Sequence, residues 1–112
     1  MKEYSFFIGR WQPWHKGHRW LIDQRLNENK NVCIAIQDRE KDERNPFTAQ
    51  EVKENISREL SSFIQSGRIK VIVIPAIESV NYGRKVGYKI NEFTPPQEIN
   101  DISATNIRKK SL

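Results

Sequence analysis

"GRWQPWHKGH", residues 9–18, stands between a short apolar run, "YSFFI" (4–8), and "RWLIDQRLNEN" (19–29), which has a helical pattern. An apolar strand closed by a glycine, then a turn crowded with aromatic and basic residues, then a helix is the opening of a βα unit. Working outward, residues 3–9 are read as the strand and 16–28 as the helix, with Trp20, Leu21 and Leu26 as apolar contacts. "NVCIAIQ" (31–37) is β-branched and almost continuously apolar, as is a strand covered on both faces in a parallel sheet. "DREKDERN" (38–45) is a charged loop.

In "NPFTAQEVKENISRELSSFI" (45–64), Thr48 with Glu51 three residues on makes a capping-box start. Val52, Ile56, Leu60 and Phe63 or Ile64 form the helical stripe, and Gly67 ends the segment. "RIKVIVIP" (68–75) is a third strand stopped by Pro75, 86–93 a fourth and more exposed one, and "SATNIRKKSL" (103–112) a short helix with Ser103 as N-cap. The alternation predicts one compact α/β domain over 1–112, a Rossmann-like, doubly wound parallel sheet. Ligands of such sheets bind outside the carboxyl ends of the strands, which is where residues 9–18 fall.

The chain has 112 residues, of which 37% are hydrophobic and 29% charged, enough for a single core. Its net charge of +5 favours an anionic partner. One cysteine, Cys33, cannot form an internal disulfide and is read as a buried strand position, which fits a reducing, cytoplasmic setting. "FFI" is too short for a signal peptide, and no run approaches the roughly 20 apolar residues of a membrane span.

The residue types of the turn suit phosphate. His15 and His18, three apart at a helix start, share a face beside free N–H groups and the positive end of the dipole. Imidazoles donate hydrogen bonds to phosphate oxygens, more strongly when protonated. Gly9 and Gly17 leave backbone room, and Arg10 and Lys16 add positive charge. The competing readings are plain surface histidines and half of a zinc site. A third histidine is lacking and the one cysteine reads as buried, so no protein-held metal is expected. Trp11 and Trp14 are candidates for core anchors, at least one of them serving so. A second constellation, "ISATNIR" (102–108), places Ser103 and Thr105 at a helix start with Arg108 a turn further on. It is either an ordinary cap with a surface arginine or a phosphate clamp.

Together the two segments resemble the nucleotidyltransferase superfamily that carries the HxGH and ISxTxIR signatures. Within it, "GRWQPWHKGH" with "NPFTAQE" is most similar to archaeal-type nicotinamide mononucleotide adenylyltransferases, and also to small glycerol-3-phosphate cytidylyltransferase-like proteins. The resemblance implies transfer of AMP or CMP from ATP or CTP to a phosphorylated small-molecule acceptor, with release of pyrophosphate and with magnesium carried by the nucleotide. It implies that His15, His18 and Arg108 are catalytic. Gly9, Arg10, Trp11, Lys16, Gly17, Ser103 and Thr105 would bind the nucleotide. Lys41, Arg44 and Asn45 in the charged loop, with Arg39 beside them, and Arg84 and Lys85 in "NYGRKVGY", are candidates for substrate contacts. The family pattern carries an arginine where Val52 stands and a phenylalanine where Trp11 stands. The segment between Pro75 and Ile102, which recognises base and acceptor in the family, is short, so a second subunit completing the pocket is the expectation. A non-catalytic nucleotide- or RNA-binding module on the same fold is the competing class, though a nucleic-acid partner is not expected. No nucleophile with a paired base is evident, so catalysis would rest on positioning and electrostatics without a covalent intermediate.

Overall fold

The computed structural model describes residues 1–84 and 87–97. Three strands, β1 (Tyr4–Gly9), β2 (Asn31–Asp38) and β3 (Ile69–Pro75), form a parallel sheet in the order β1-β2-β3. Helix α1 (Lys16–Leu26) connects the first two strands. Helices α2 (Ala49–Glu59) and α3 (Ser61–Gln65) connect β2 to β3. This is an α/β, Rossmann-like arrangement.

Register and side-chain alternation decide which face carries the core. Phe7 lies opposite Ile34 and Ile34 opposite Val71, so Phe7, Val32, Ile34, Ile36, Ile69 and Val71 share one face. That face packs against Ile22 and Leu26 of α1 and Val52 and Ile56 of α2, with Leu60 beyond. Ile22, Val32, Ile34, Ile36, Ile56 and Leu60 have no exposed surface at all. The helices that join the strands therefore cover a single face among the described residues. On the other face Phe6 and Ile72 are exposed, and Tyr4 packs under the Lys70 ammonium at 5.1 Å. Cys33, expected to be buried, points to this second face and is only half-buried. The continuous apolar run of β2 holds one fully buried row of alternate residues and, on the second face, buries Ala35 alone.

Local signals explain the boundaries. Thr48 caps α2 as its spacing predicts: its Oγ1 accepts the Glu51 N–H at 3.1 Å, and the Glu51 carboxylate accepts the Thr48 N–H at 3.1 Å. The predicted helix to residue 64 is broken at Leu60, whose φ of −103° and ψ of 21° leave the helical region. The break keeps Leu60 buried while Phe63 and Ile64 still reach the core. Gly67 at φ 79° then ends α3. Its N–H donates to the Ile64 carbonyl and the Arg68 N–H to the Phe63 carbonyl, a Schellman closure that needs the left-handed residue.

The fourth strand expected over 86–93 is absent from its described part. Residues 87–93 form no strand, Gly87 takes φ 85°, and Tyr88 and Ile90 are exposed. An alternating pattern becomes a strand only where an edge and a covering layer receive it. Lys85, Ser103, Thr105 and Arg108 lie outside the described residues. No helix among the described residues is long and apolar enough to cross a membrane.

Candidate active site

The carboxyl end of β1 runs straight into the turn that carries the two histidines. Trp11 turns the chain there at φ 56°, a left-handed conformation that costs a non-glycine residue of order 1–3 kcal/mol. Two contacts hold it. The indole is buried, at 5% exposure, and its Nε1–H donates to the Ala35 carbonyl of β2 at 3.0 Å. Its ring lies directly over Gly9, where a Cβ would stand 2.8 Å from Trp11 Cε2. The room that Gly9 leaves is thus filled by tryptophan, and Trp11 joins the core with its ring against His18. The Gln12–Pro13 peptide is cis.

His15 and His18 do converge, through a capping box that neither residue type announces. His15 is the N-cap of α1, and its Nδ1 accepts the Gly17 N–H at 3.0 Å. His18 Nδ1 accepts the His15 N–H at 3.2 Å. With both Nδ1 atoms acting as acceptors, each neutral ring must carry its proton on Nε2. The rings stack with centroids 3.7 Å apart and 23° between planes. Two Nε2–H donors therefore lie side by side at the N-terminus of α1, where the helix dipole favours an anion. His18 also meets the Trp11 ring edge-on at 4.8 Å, and Trp14 at 5.6 Å.

These donors are neutral. Burial, and then the adjacent His15, pull the His18 imidazole from its ordinary 6.5 down to about 3, and burial lowers His15 as well. The pair thus presents oriented neutral dipoles, whereas protonated rings are the stronger donors expected from residue type alone. Stability follows. As pH falls through about 6.5, the unfolded chain takes up a proton that folded His18 refuses until about 3. Stability is therefore full above 6.5, declines between those values and levels off below. The urea midpoint should fall from pH 7.5 to 5, and His18→Gln should flatten that decline.

The surrounding cations are placed unevenly. Arg10 and Lys16 are exposed beside the turn, whereas Gly17 is buried and its N–H is spent on His15. In the charged loop, Asp42 Oδ1 accepts the N–H groups of Arg44 at 2.8 Å and Asn45 at 2.7 Å, and the Asn45 side-chain amide at 3.0 Å. The backbone hydrogen bond from Asn45 leads the causes that hold Asp42 below the usual carboxylate range, and the charge of Arg10 adds to it. Asn45 is thereby a buried turn-former, at 4% exposure, whose N–H groups serve Asp42 while its buried Oδ1 has no hydrogen-bond partner. Lys41 approaches Glu51 at 4.0 Å, and Arg44 and Arg84 are exposed. Arg39 links the ends of two strands: its Nη2 donates to Gln37 Oε1 at 3.0 Å and to the Ile77 carbonyl at 3.4 Å. Val52, which stands where the family pattern carries arginine, is 1% exposed in the core and offers no cation.

No family model matches the chain. It is 35% identical over 97 residues to the nicotinamide-nucleotide adenylyltransferase of Thermoplasma acidophilum, covering 85% of this chain and 52% of that protein. To the protein of the same name from Picrophilus torridus it is 34% identical over 94 residues, covering 82% and 53%. To that of Methanococcus maripaludis strain C5 it is 33% identical over 94 residues, covering 82% and 52%. The chain is similar to nicotinamide-nucleotide adenylyltransferases. It spans about half the length of the curated relatives it matches. The nucleotidyltransferase resemblance carried by residues 9–18 thus extends over most of the chain.

Reading the sequence by residue type passes over Gln12 and names Trp14 only as a candidate core anchor, which it is in part. Trp14 donates its indole N–H to the Glu59 carboxylate, which anchors the turn to the far end of α2. Gln12, at 3% exposure, pairs with the backbone of Phe47. The one available signal for Gln12 was an uncharged amide set between tryptophan and proline, a position too apolar for a solvated side chain.

Proposed function

We propose that this chain takes part in nucleotidyl transfer, moving AMP from ATP to a phosphorylated small-molecule acceptor with release of pyrophosphate. The observation that carries the reading is the stacked pair of Nε2–H donors at the N-terminus of α1 and the carboxyl end of the sheet. The names of the relatives support adenine as the base and nicotinamide mononucleotide as the first acceptor to try.

In the proposed reaction an acceptor phosphate oxygen bonds to the α-phosphorus of ATP. The bond from that phosphorus to the oxygen bridging to the β-phosphate breaks, and pyrophosphate leaves with the electron pair. His15 and His18 donate to α-phosphate oxygens as negative charge builds there, and their fixed, neutral rings need no reorganisation. Arg10 and Lys16 flank the polyphosphate. Ser103, Thr105 and Arg108 are proposed to take the β- and γ-phosphates. Among the described residues no group of three or more His, Cys, Asp or Glu side chains is placed to hold a metal ion. Magnesium is proposed as carried with the nucleotide, where it would neutralise charge on the phosphates. No step is assigned to a protein-held ion.

The test is a pyrophosphate-release screen with magnesium, crossing ATP, CTP, GTP and UTP with nicotinamide mononucleotide, glycerol 3-phosphate, phosphocholine and sugar phosphates. Release with ATP and one acceptor is expected. Release with CTP alone would move the assignment to cytidylyl transfer. Triphosphate binding without turnover on any acceptor would overturn the enzymatic reading in favour of a nucleotide-binding module.

A further inference from the structure

Gln12 lies three residues before His15, yet its carboxamide reaches across to a different loop. Its Nε2–H donates to the Phe47 carbonyl at 2.9 Å, and its Oε1 accepts the Phe47 N–H at 3.0 Å. One side chain thus engages both polar groups of a single residue, as a neighbouring strand would. The residue is 3% exposed and Phe47 half-buried, so the two bonds are partly shielded from water and their loss leaves the buried side chain's partners less well satisfied than at the surface.

The place of Phe47 gives the bridge its meaning. Phe47 packs on the core and directly precedes Thr48, the N-cap of α2. It also closes the loop in which Asp42 and Asn45 form their turn, with Lys41 and Arg44 exposed on it. On the other side, Gln12 follows Trp11, whose ring contacts His18. Two loops at the same end of the sheet, far apart in sequence, are therefore joined at a buried point between the histidine pair and the basic loop.

We infer that Gln12 is a positioning residue that holds the histidine turn and the 38–48 loop in one arrangement, and so sets how a triphosphate on His15 and His18 faces Lys41 and Arg44. Its effect on turnover rests on the nucleotidyl transfer proposed above. Its effect on the histidines does not.

The experiment uses Gln12→Met, which keeps the volume of the side chain and removes both bonds. Three quantities are read on the folded protein: the ring 15N and 1H signals of His15 and His18, kcat, and KM for ATP. The ring signals are expected to move away from the pattern of unprotonated Nδ1 and protonated Nε2. Where transfer is detected, kcat should fall ~10²-fold, the scale of a misplacement of about 1 Å, with KM for ATP little changed. Gln12→Glu keeps the acceptor for the Phe47 N–H and, ionised, replaces the donor by an oxygen that faces the Phe47 carbonyl. It serves where the methionine variant does not fold, with the same outcomes expected. Wild-type ring signals and kcat, with only a lowered unfolding midpoint, would make Gln12 purely structural and overturn the inference. If the wild-type protein transfers nothing, the functional proposal fails by itself. The ring signals then still decide for or against Gln12.

Discussion

His18→Ala is expected to cut pyrophosphate release by ~10²–10³-fold, the usual loss on removing one preorganised donor to developing negative charge. The expectation comes from the ring's state as much as its position. His18 Nδ1 is committed to the His15 N–H, so Nε2–H is its free donor. With its pKa near 3 the ring stays neutral throughout the physiological range, so the loss should be similar from pH 6 to 8. Alanine also removes the acceptor of a capping box, which weakens the start of α1. His18→Gln separates the two effects, because glutamine at this helix position restores an acceptor for the His15 N–H without the imidazole donor. It should unfold at a urea concentration close to wild type at pH 7.5 and remain as inactive as the alanine variant. Near-normal turnover in either would remove His18 from the chemistry.

Trp11→Ala is expected to cost about 3–5 kcal/mol of folding stability, the range for truncating a buried large aromatic. The indole fills the space over Gly9, joins the core and satisfies the Ala35 carbonyl. Alanine leaves a cavity, removes the indole hydrogen bond to the Ala35 carbonyl, and retains the unfavourable left-handed backbone at residue 11. Trp11→Phe keeps most of the bulk and deletes the N–H donor, so a smaller cost of about 1–3 kcal/mol is expected. Urea unfolding at pH 7.5 measures both. The phenylalanine variant should also retain most of its turnover, since the aromatic edge against His18 survives. Equal stability losses in the two variants would show that the Ala35 hydrogen bond, and not the packing, holds the turn.

The elements were legible where a local rule operates. Thr48 with Glu51, Gly67, and the β-branched runs of β2 and β3 each decide their own boundary from nearest neighbours. So does the i, i+3 spacing that brings His15 and His18 together. The break at Leu60 and the missing strand over 87–93 were not legible. Each depends on whether a distant layer accepts the side chains.

By itself, the sequence determined the α/β order of elements, the end of the sheet where the site lies, and the pair of imidazoles at the mouth of a helix. Only the tertiary structure decided what those groups are. Burial against Trp11 and Trp14, together with two backbone N–H groups, makes the histidines neutral Nε2–H donors. Trp11 became a core residue because its ring packs among the core side chains and its indole N–H reaches the Ala35 carbonyl, 24 positions away. Gln12 became a bridge because Phe47, 35 positions away, presented both of its polar groups. Tautomer, protonation and pairing depend on what lies within a few ångströms in space, and spacing along the chain carries that information only within a single turn or hairpin.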